Sequence, residues 1–191
     1  LDDLSKGHRA AVTQGTFIEG DLGDEAHLGE VFSAHSIDCV MHFGAYSLVG
    51  ESVEQPLEYY QNNTGKTANL LLAMKKHGVR RLVVQSSYGV GESRDKLRFV
   101  DSLFFSLLLK PQIADTEVQE LDVRDSGVDW VLAQPVHLTD DESDAEPFAS
   151  DSGEVREWKI SRRGVARFLA KAAQSSDYSG KVVALSGGGV A

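Results

Sequence analysis

The stretch Val79–Gly91 constrains the fold of this chain more than any other segment. Within it, Leu82–Val84 form an aliphatic run with polar residues on both sides, which is typical of a buried strand in a parallel sheet. The run leads into Ser86 and Ser87, and a loop punctuated by glycines follows. Ligands of open α/β sheets bind outside the carboxyl ends of the strands, so these two hydroxyls are candidate ligand contacts. The alternative is that they only satisfy backbone groups of the loop.

Composition limits what kind of protein this is. The chain has 191 residues, of which 41% are apolar and 25% are charged, a balance typical of one globular α/β domain with its own core. The formal net charge of -10 makes nucleic acid and anionic membranes poor partners. No apolar run approaches the roughly 20 residues of a membrane span. The first residues have no signal-peptide character, so the sequence predicts a cytoplasmic protein.

Cys39 is the only cysteine, which excludes an intrachain disulfide and a metal site built from several cysteines. It is predicted to pack as a small apolar side chain. The six histidines show no paired ligand spacing, so the sequence predicts no metal site.

Short aliphatic strands alternate with helices along the chain, which favours an α/β fold with a parallel sheet and flanking helices. The predicted strands are Phe17–Ile18, Ile37–Phe43, Leu82–Val84, Val128–Ala133 and Lys181–Leu185. The predicted helices are Glu25–His35, Pro56–His77, Gln112–Asp125 and Trp158–Ser175. Asp24 is placed to cap the first of these helices, and Gly78 is placed to end the second. Thr139–Glu157 holds eight acids and one arginine and is predicted to be a solvated loop.

Acidic residues near the ends of the first predicted strands are candidate ligand contacts. Asp2 or Asp3 could be the acid that accepts the ribose hydroxyls in a dinucleotide-binding fold, or the two could form a solvated pair. Asp21 and Leu22 follow the next strand, where a carboxylate and an apolar side chain can hold adenine.

Small and amide residues mark two further positions. Gly44 and Ala45 follow the strand Ile37–Phe43, and small residues there let a ligand approach the backbone closely. Asn62 and Asn63 fall inside a predicted helix, where asparagine is unfavourable. They indicate either a ligand contact or a buried contact with the backbone.

Residues 1–87 resemble UDP-glucose 4-epimerases, which are extended short-chain dehydrogenases/reductases. The phrases that carry this resemblance are Leu1-Asp-Asp-Leu-Ser-Lys-Gly-His-Arg, Phe17-Ile-Glu-Gly-Asp-Leu, His42-Phe-Gly-Ala, Gly50-Glu-Ser-Val-Glu-Gln-Pro and Asn62-Asn63. Residues 82–185 resemble instead an atypical NAD(P)-binding member of the flavin- or biliverdin-reductase kind. Its phrases are Ser86-Ser-Tyr-Gly-Val-Gly-Glu-Ser, Gln119-Glu120, Asp125-Ser-Gly-Val-Asp-Trp and Gln134-Pro-Val-His-Leu. A chain recombined or engineered near the central strand, or a truncated one, is therefore one interpretation.

The resemblance implies a single Rossmann-like domain over residues 1–191 that binds NAD or NADP. The positions that match the families' cofactor contacts are Asp2 at the adenosine ribose, Asp21 and Leu22 beside adenine, Gly44, Ala45 and Asn63 along the middle of the cofactor, and Pro135 near nicotinamide. Ser87 stands where the families have their catalytic serine. An acid at Asp2 would repel a 2′-phosphate, so NAD is favoured over NADP.

Two departures from these families weaken the catalytic assignment. The usual first strand, the glycine-rich phosphate loop and the helix behind it have no counterpart in the sequence, and dinucleotide affinity should suffer. There is also no Tyr-x-x-x-Lys, and Gln112 and Thr116 stand where that pair would lie in the atypical family. Neither side chain can transfer that proton at neutral pH, and Ser87 alone is not a catalytic set.

Three functions stay open on these grounds. The first is an NAD(P)-dependent oxidoreductase in which the cofactor carries the chemistry and Ser87 orients a small-molecule substrate. The second is an epimerase of sugar nucleotides, and the third is a recombined or truncated fold that has lost its chemistry. The apolar segment Val100–Lys110 is predicted to be a core helix or, alternatively, the face of a homodimer.

The missing first strand leaves an expected gap in the sheet. In this fold class that strand is central and would pair with Ile37–Phe43. The segment Lys181–Ala191, an aliphatic strand followed by glycines, could fill the gap and offer N–H groups to a phosphate. The favoured alternative is an ordinary edge strand with a glycine tail, and a third is a strand exchanged in a dimer.

Overall fold

The fold was analysed on a computed structural model, which describes residues 1–46, 49–97, 110–142 and 145–188. The strands are β1 (Cys39–His42), β2 (Arg81–Gln85), β3 (Asp129–Pro135), β4 (His137–Thr139), β5 (Phe148–Ser150), β6 (Lys159–Ser161) and β7 (Lys181–Ser186). The α-helices are α1 (Glu25–Ala34), α2 (Val49–Glu54), α3 (Pro56–Tyr60), α4 (Lys66–His77), α5 (Lys110–Asp125) and α6 (Arg162–Gln174). Short 3₁₀ turns cover Arg9–Ala11 and Gly91–Lys96, and a π-helical turn covers Gln61–Gly65.

The main sheet has five strands in the order β1-β2-β3-β7-β5. β1, β2, β3 and β7 run parallel, and β5 adds an antiparallel edge beside β7. The predicted central strand lies between β1 and β3, with Val84 opposite His42 on one side and Leu132 on the other. The predicted α/β fold with a mostly parallel sheet and flanking helices is therefore confirmed.

Helices cover both faces of this sheet. On one face, Leu82 and Val84 pack in a cluster with side chains of α1 and α4, including Phe32 and Met74. On the other, Val83 packs in a second cluster with residues of α6. The successive residues of β2 thus point to opposite faces, and both faces are buried, which is why the strand reads as an uninterrupted aliphatic run.

Three local signals in the sequence set helix ends, and two of them, Asp24 and Gly78, act as predicted. The side chain of Asp24 accepts a hydrogen bond from the backbone N–H of His27 at 3.0 Å and caps α1. Pro56 opens α3 in the first turn, where its missing N–H costs nothing. Gly78 ends α4 in the left-handed conformation with φ of +72°, which only glycine adopts without strain.

Three elements differ from the prediction. The expected single helix Pro56–His77 is divided by the π-helical turn Gln61–Gly65, which holds both asparagines. The expected helix Trp158–Ser175 begins only at Arg162, because β6 precedes it. The acidic loop Thr139–Glu157 contains β5, since Phe148 and Ala149 give it enough apolar character to pair with β7.

The C-terminal strand does not fill the expected gap. β7 lies inside the sheet between β3 and β5, so it is neither the missing strand nor an edge strand. The predicted strand Phe17–Ile18 is reduced to one parallel bridge between Asp2 and Glu19. Along the described part of the chain, β1 pairs with β2 alone and its other edge has no partner. Residues 98–109, which include nearly all of the apolar segment Val100–Lys110, lie outside the described residues.

No helix among the described residues is both long enough and apolar enough to cross a membrane.

Candidate functional site

A cavity of about 420 Å³ lies where the carboxyl end of β1 meets the N-terminal segment. We call it the N-terminal cavity. Of the seven residues that the resemblance assigns to the cofactor, five line it together. They are Asp2, Asp21, Leu22, Gly44 and Ala45. Residues more than 40 positions apart in the sequence are thus brought to one side of the sheet, at the end where ligands of this fold class bind.

The backbone of Asp2 fixes one wall of the N-terminal cavity. Its N–H donates to the carbonyl of Ile18 at 3.1 Å, and its carbonyl accepts from the N–H of Gly20 at 3.1 Å. Its carboxylate accepts the N–H of Leu4 at 2.8 Å. This parallel bridge brings Asp2 beside the segment that carries Asp21, so the two acids reach the same cavity.

A lysine that sequence reasoning missed, Lys66, lines this cavity and pairs with its acids. The Nζ atom of Lys66 lies 2.7 Å from the Asp21 carboxylate and 3.8 Å from that of Asp3. Burial alone would raise the pKa of Asp21, but hydrogen bonds from Lys66 and from the N–H of Gly23 hold that pKa below its ordinary value. The pKa of Asp3 is lowered chiefly by its hydrogen bonds from Ser5. Both acids are therefore ionised at neutral pH.

Gly44 lies where the chain leaves β1, and the structure leaves almost no room for a side chain there. A Cβ atom on Gly44 would stand 3.3 Å from both Leu22 Cδ1 and His42 Cε1. Gly44 therefore lets the loop after β1 approach Leu22 closely, which keeps this wall of the cavity thin.

Asn63 contributes to the cavity through a neighbour. It is 1% exposed, its amide oxygen accepts the N–H of Tyr46 at 2.7 Å, and its amide nitrogen donates to the carbonyl of Tyr46 at 3.1 Å. Tyr46 itself lines the cavity. Of the two explanations that the sequence left open for Asn62 and Asn63, a buried backbone contact is the one observed for Asn63.

Ser87 and Pro135 form a second location at the same end of the sheet. Ser87 lies two residues after the end of β2, and Pro135 is the last residue of the neighbouring strand β3. The N–H of Tyr88 donates to the carbonyl of Pro135 at 3.0 Å. Ser87 is exposed. Neither residue lines the N-terminal cavity.

Ser86 belongs to a buried network rather than to the surface. Its hydroxyl donates to Glu120 Oε1 at 2.5 Å, and the amide nitrogen of Gln134 donates to the same oxygen at 2.8 Å. Burial raises the pKa of Glu120. Gln119-Glu120 was noted in the sequence only as a motif of the atypical family, because nothing local shows that a helical glutamate will meet a hydroxyl 34 residues away.

A second buried network links β1, α4 and α5. The Nε2 atom of His42 lies 2.9 Å from the Thr67 hydroxyl, and the amide nitrogen of Gln119 donates to the same hydroxyl at 2.8 Å. The sequence offered no sign that Thr67 would meet these two partners, which lie 25 and 52 residues away along the chain.

Comparisons with known proteins agree with this architecture. A family model described as NAD(P)H-binding matches residues 4–176, a range that spans both resemblances. UDP-glucose 4-epimerase of Halalkalibacterium halodurans is 51% identical over 87 residues, which are 46% of this chain. The chain spans 26% of that relative's length.

Two solved structures share the fold. UDP-glucose 4-epimerase from Brucella ovis in complex with NAD superposes with a TM-score of 0.72 and 23% identity, covering 97% of this chain and 67% of that one. A short-chain dehydrogenase/reductase of the wide type from Veillonella parvula, in complex with NADP, gives a TM-score of 0.71 and 13% identity, covering 95% and 77%.

The predicted cofactor class, NAD or NADP, is confirmed at the level of the family, whose model covers most of the chain. Because this family's model matches residues 4–176, the chain belongs to the NAD(P)H-binding family.

Proposed function

We propose that this chain binds the adenosine end of a nicotinamide dinucleotide in the N-terminal cavity and acts as a hydride-transferring oxidoreductase. The observation that carries the proposal is that Asp2, Asp21, Leu22, Gly44 and Ala45 line one cavity. The resemblance to the two families assigns each of these five residues to the cofactor.

The chemistry of the cavity suits adenosine. The Asp2 carboxylate can accept ribose hydroxyls, Leu22 offers an apolar wall to a base, and Gly44 and Ala45 let the ligand approach the backbone. Asp2 would repel a 2′-phosphate, so NAD is preferred over NADP.

The bound cofactor would supply the hydride. The chain's own contribution is to position the partners of that transfer. Pro135 ends the strand next to β2 and would border the nicotinamide ring, and the exposed hydroxyl of Ser87 would orient the substrate. No Tyr-x-x-x-Lys is present, so the chain has no counterpart of the acid/base of the epimerases.

A second candidate is a sugar-nucleotide epimerase, which the 51% identity over 87 residues favours. UDP-sugars would then be the substrate. The missing acid/base argues against turnover, and a recombined or truncated fold that binds cofactor without chemistry is the third candidate.

Three further properties belong to the same proposal. Residues 1–191 act as one Rossmann-like domain with an epimerase-like part, 1–87, and an atypical-reductase-like part, 88–191. The protein works in the cytoplasm on a small molecule or sugar nucleotide. A homodimer is its proposed assembly.

Binding and turnover separate the three candidates. Fluorescence titration with NADH and NADPH measures cofactor binding, and assays of flavin reduction and of UDP-galactose conversion measure activity. Flavin reduction supports the oxidoreductase, and UDP-galactose conversion supports the epimerase. Binding without turnover supports the inactive fold, and no binding of either nucleotide overturns the oxidoreductase and the epimerase.

A further inference from the structure

A single buried carboxylate oxygen ties together the residues that precede Ser87 and Pro135. Oε1 of Glu120 accepts from the hydroxyl of Ser86 at 2.5 Å and from the amide nitrogen of Gln134 at 2.8 Å. Ser86 comes directly before Ser87, and Gln134 comes directly before Pro135. Because Glu120 lies on α5, one helical side chain joins the loop that leaves β2 to the end of β3.

The turn that carries Ser87 is held at both of its ends by these contacts. The N–H of Val90 donates to the carbonyl of Ser87 at 3.3 Å and closes the turn. The amide nitrogen of Gln134, which bonds Glu120, also donates to the carbonyl of Val90 at 3.1 Å. The turn is thus anchored through Ser86 on one side and through Val90 on the other.

The orientation of the Gln134 amide follows from its surroundings. The residue is 1% exposed, and its amide oxygen has no hydrogen-bond partner among the residues that the structure describes. Turning the amide over would place that oxygen against two acceptors, the carbonyl of Val90 and the carboxylate of Glu120. The nitrogen therefore faces both acceptors, and Gln134 leaves one oxygen unpaired to hold them together.

Stability alone does not account for an acid at position 120. Glu120 is 3% exposed, and burying a carboxylate costs more free energy than burying an apolar side chain of similar volume. Arg124 offsets part of this cost, because its Nη2 atom lies 3.6 Å from Oε2 of Glu120. A carboxylate supplies direction that an apolar side chain does not, because two donors must approach one oxygen at hydrogen-bond length.

We propose that Glu120 is a positioning residue that fixes the exposed hydroxyl of Ser87 relative to Pro135. The proposal rests on the proposed function, in which Ser87 orients the substrate and Pro135 borders the nicotinamide ring. Hydride transfer needs its two partners in a defined geometry, and a displacement of about 1 Å can lower a rate by about 10²-fold. Glu120 is buried and acts on this geometry through Ser86 and Gln134.

Two substitutions remove the shared contact and one preserves it. Glu120→Met keeps a side chain of similar volume but accepts hydrogen bonds only weakly. Glu120→Asp keeps the carboxylate but is one methylene shorter, so it cannot meet Ser86 and Gln134 in their present places. Glu120→Gln keeps one oxygen that can accept from both donors. Glu92→Met is the matched control, because it removes a 90% exposed carboxylate that lies 3.5 Å from the same Arg124.

We expect kcat for flavin reduction to fall about tenfold in Glu120→Met and Glu120→Asp. The KM for flavin and the dissociation constant of NADH should not change, because the N-terminal cavity keeps all of its lining residues. Hydrogen exchange at the Tyr88 amide, which donates to the carbonyl of Pro135, should become about tenfold faster in the same two variants. Glu120→Gln and Glu92→Met should behave like the wild type in every measurement.

Melting temperatures separate positioning from a purely structural role. If Glu120 served only the packing of α5, Glu120→Met would melt at a lower temperature while its folded molecules kept the wild-type kcat and Tyr88 exchange. That result overturns the proposal. Glu120→Asp gives the same measurements if Glu120→Met does not fold.

Two further results are decisive. A loss of kcat in Glu120→Gln as large as that in Glu120→Met overturns the proposal, because the charge rather than the shared acceptor oxygen would then be responsible. A wild type that reduces no flavin overturns the proposed function instead. Tyr88 exchange in the Glu120 variants then decides by itself whether this residue fixes the turn of Ser87 against Pro135.

Discussion

The Nε2 atom of His42 lies 2.9 Å from the hydroxyl oxygen of Thr67, and this contact joins the end of β1 to α4 in the protein interior. The Thr67 hydroxyl donates to the carbonyl of Asn63 at 2.6 Å. The same hydroxyl oxygen can therefore accept from His42 when the proton of the neutral ring is on Nε2. Burial lowers the pKa of His42 to about 4.

Acidification is expected to destabilise the protein through His42. As the pH falls, the unfolded chain takes up this proton near its ordinary pKa of 6.5, whereas the folded chain does so only near pH 4. Protons therefore favour the unfolded state throughout this window. The shift corresponds to about 3 kcal/mol of unfolding free energy lost between these two pH values. Urea unfolding at a series of pH values measures the loss.

Two substitutions isolate the contribution of His42. His42→Gln removes the titration and keeps an amide that can bond Thr67, so its stability should depend less on pH than that of the wild type. His35→Gln changes an exposed histidine and should keep the wild-type dependence. Equal pH slopes for wild type and His42→Gln would contradict the assignment.

Asp21 is expected to matter for nucleotide binding. Asp21→Asn removes the carboxylate that Lys66 contacts at 2.7 Å and should weaken NADH binding about tenfold. Asp24→Asn makes the same chemical change three residues away, outside the N-terminal cavity, and asparagine caps a helix as well as aspartate does. Fluorescence titration should show a loss for the first variant alone. An equal loss for both would remove Asp21 from the site.

Asp2 is expected to set the choice between the two cofactors. Its carboxylate lines the N-terminal cavity and would repel the 2′-phosphate of NADPH. The wild type should bind NADH more tightly than NADPH, and Asp2→Asn should narrow the ratio of the two dissociation constants about tenfold. Titration of both variants with both nucleotides gives this ratio. A ratio that Asp2→Asn leaves unchanged would place the ribose elsewhere.

Substitution by alanine should affect activity at Ser87 and stability at Ser86. Ser87 is exposed, so Ser87→Ala should reduce flavin reduction while leaving NADH binding and the melting temperature unchanged. Ser86 donates to the buried Glu120, so Ser86→Ala should cost about 1–3 kcal/mol of stability. Steady-state kinetics and thermal melts distinguish the two effects. A stability loss for Ser87→Ala would instead favour a structural role for that serine.

Epimerase turnover is expected to be absent. The sequence holds no Tyr-x-x-x-Lys, the pair that exchanges a proton with the sugar hydroxyl in the epimerases that it resembles. A coupled assay that follows UDP-galactose to UDP-glucose tests this directly. Measurable conversion that is lost in Ser87→Ala would show that the chain has an acid/base of its own.

The parallel sheet was predictable because its signals are local. The aliphatic run Leu82–Val84 is buried on both faces, and Asp24 and Gly78 begin and end helices through their own backbone geometry. The helix around Asn63 was less predictable. Its π-helical turn holds Asn63, whose amide bonds the backbone of Tyr46, 17 residues earlier in the chain.

The residues of the candidate site also separate into those that the sequence could assign and those that it could not. Five of its residues could be assigned by resemblance, since they lie in short sequence motifs that occur in the same order in the families that the chain resembles. Lys66 could not, because a lysine in a helix normally faces solvent. Its role follows only from the ion pair with Asp21, whose segment is positioned by the bridge to Asp2.

By itself, the sequence determined the fold class, the caps of the helices and which acids could face a nucleotide, because each depends on neighbours within a few residues. Only the tertiary structure decided that β7 lies inside the sheet, that Glu120 meets Ser86, and that β1 pairs with β2 alone among the residues that the structure describes. These three facts depend on which strands pair and how the helices pack. Pairing between distant segments is set by the burial of the whole sheet rather than by any one stretch of residues.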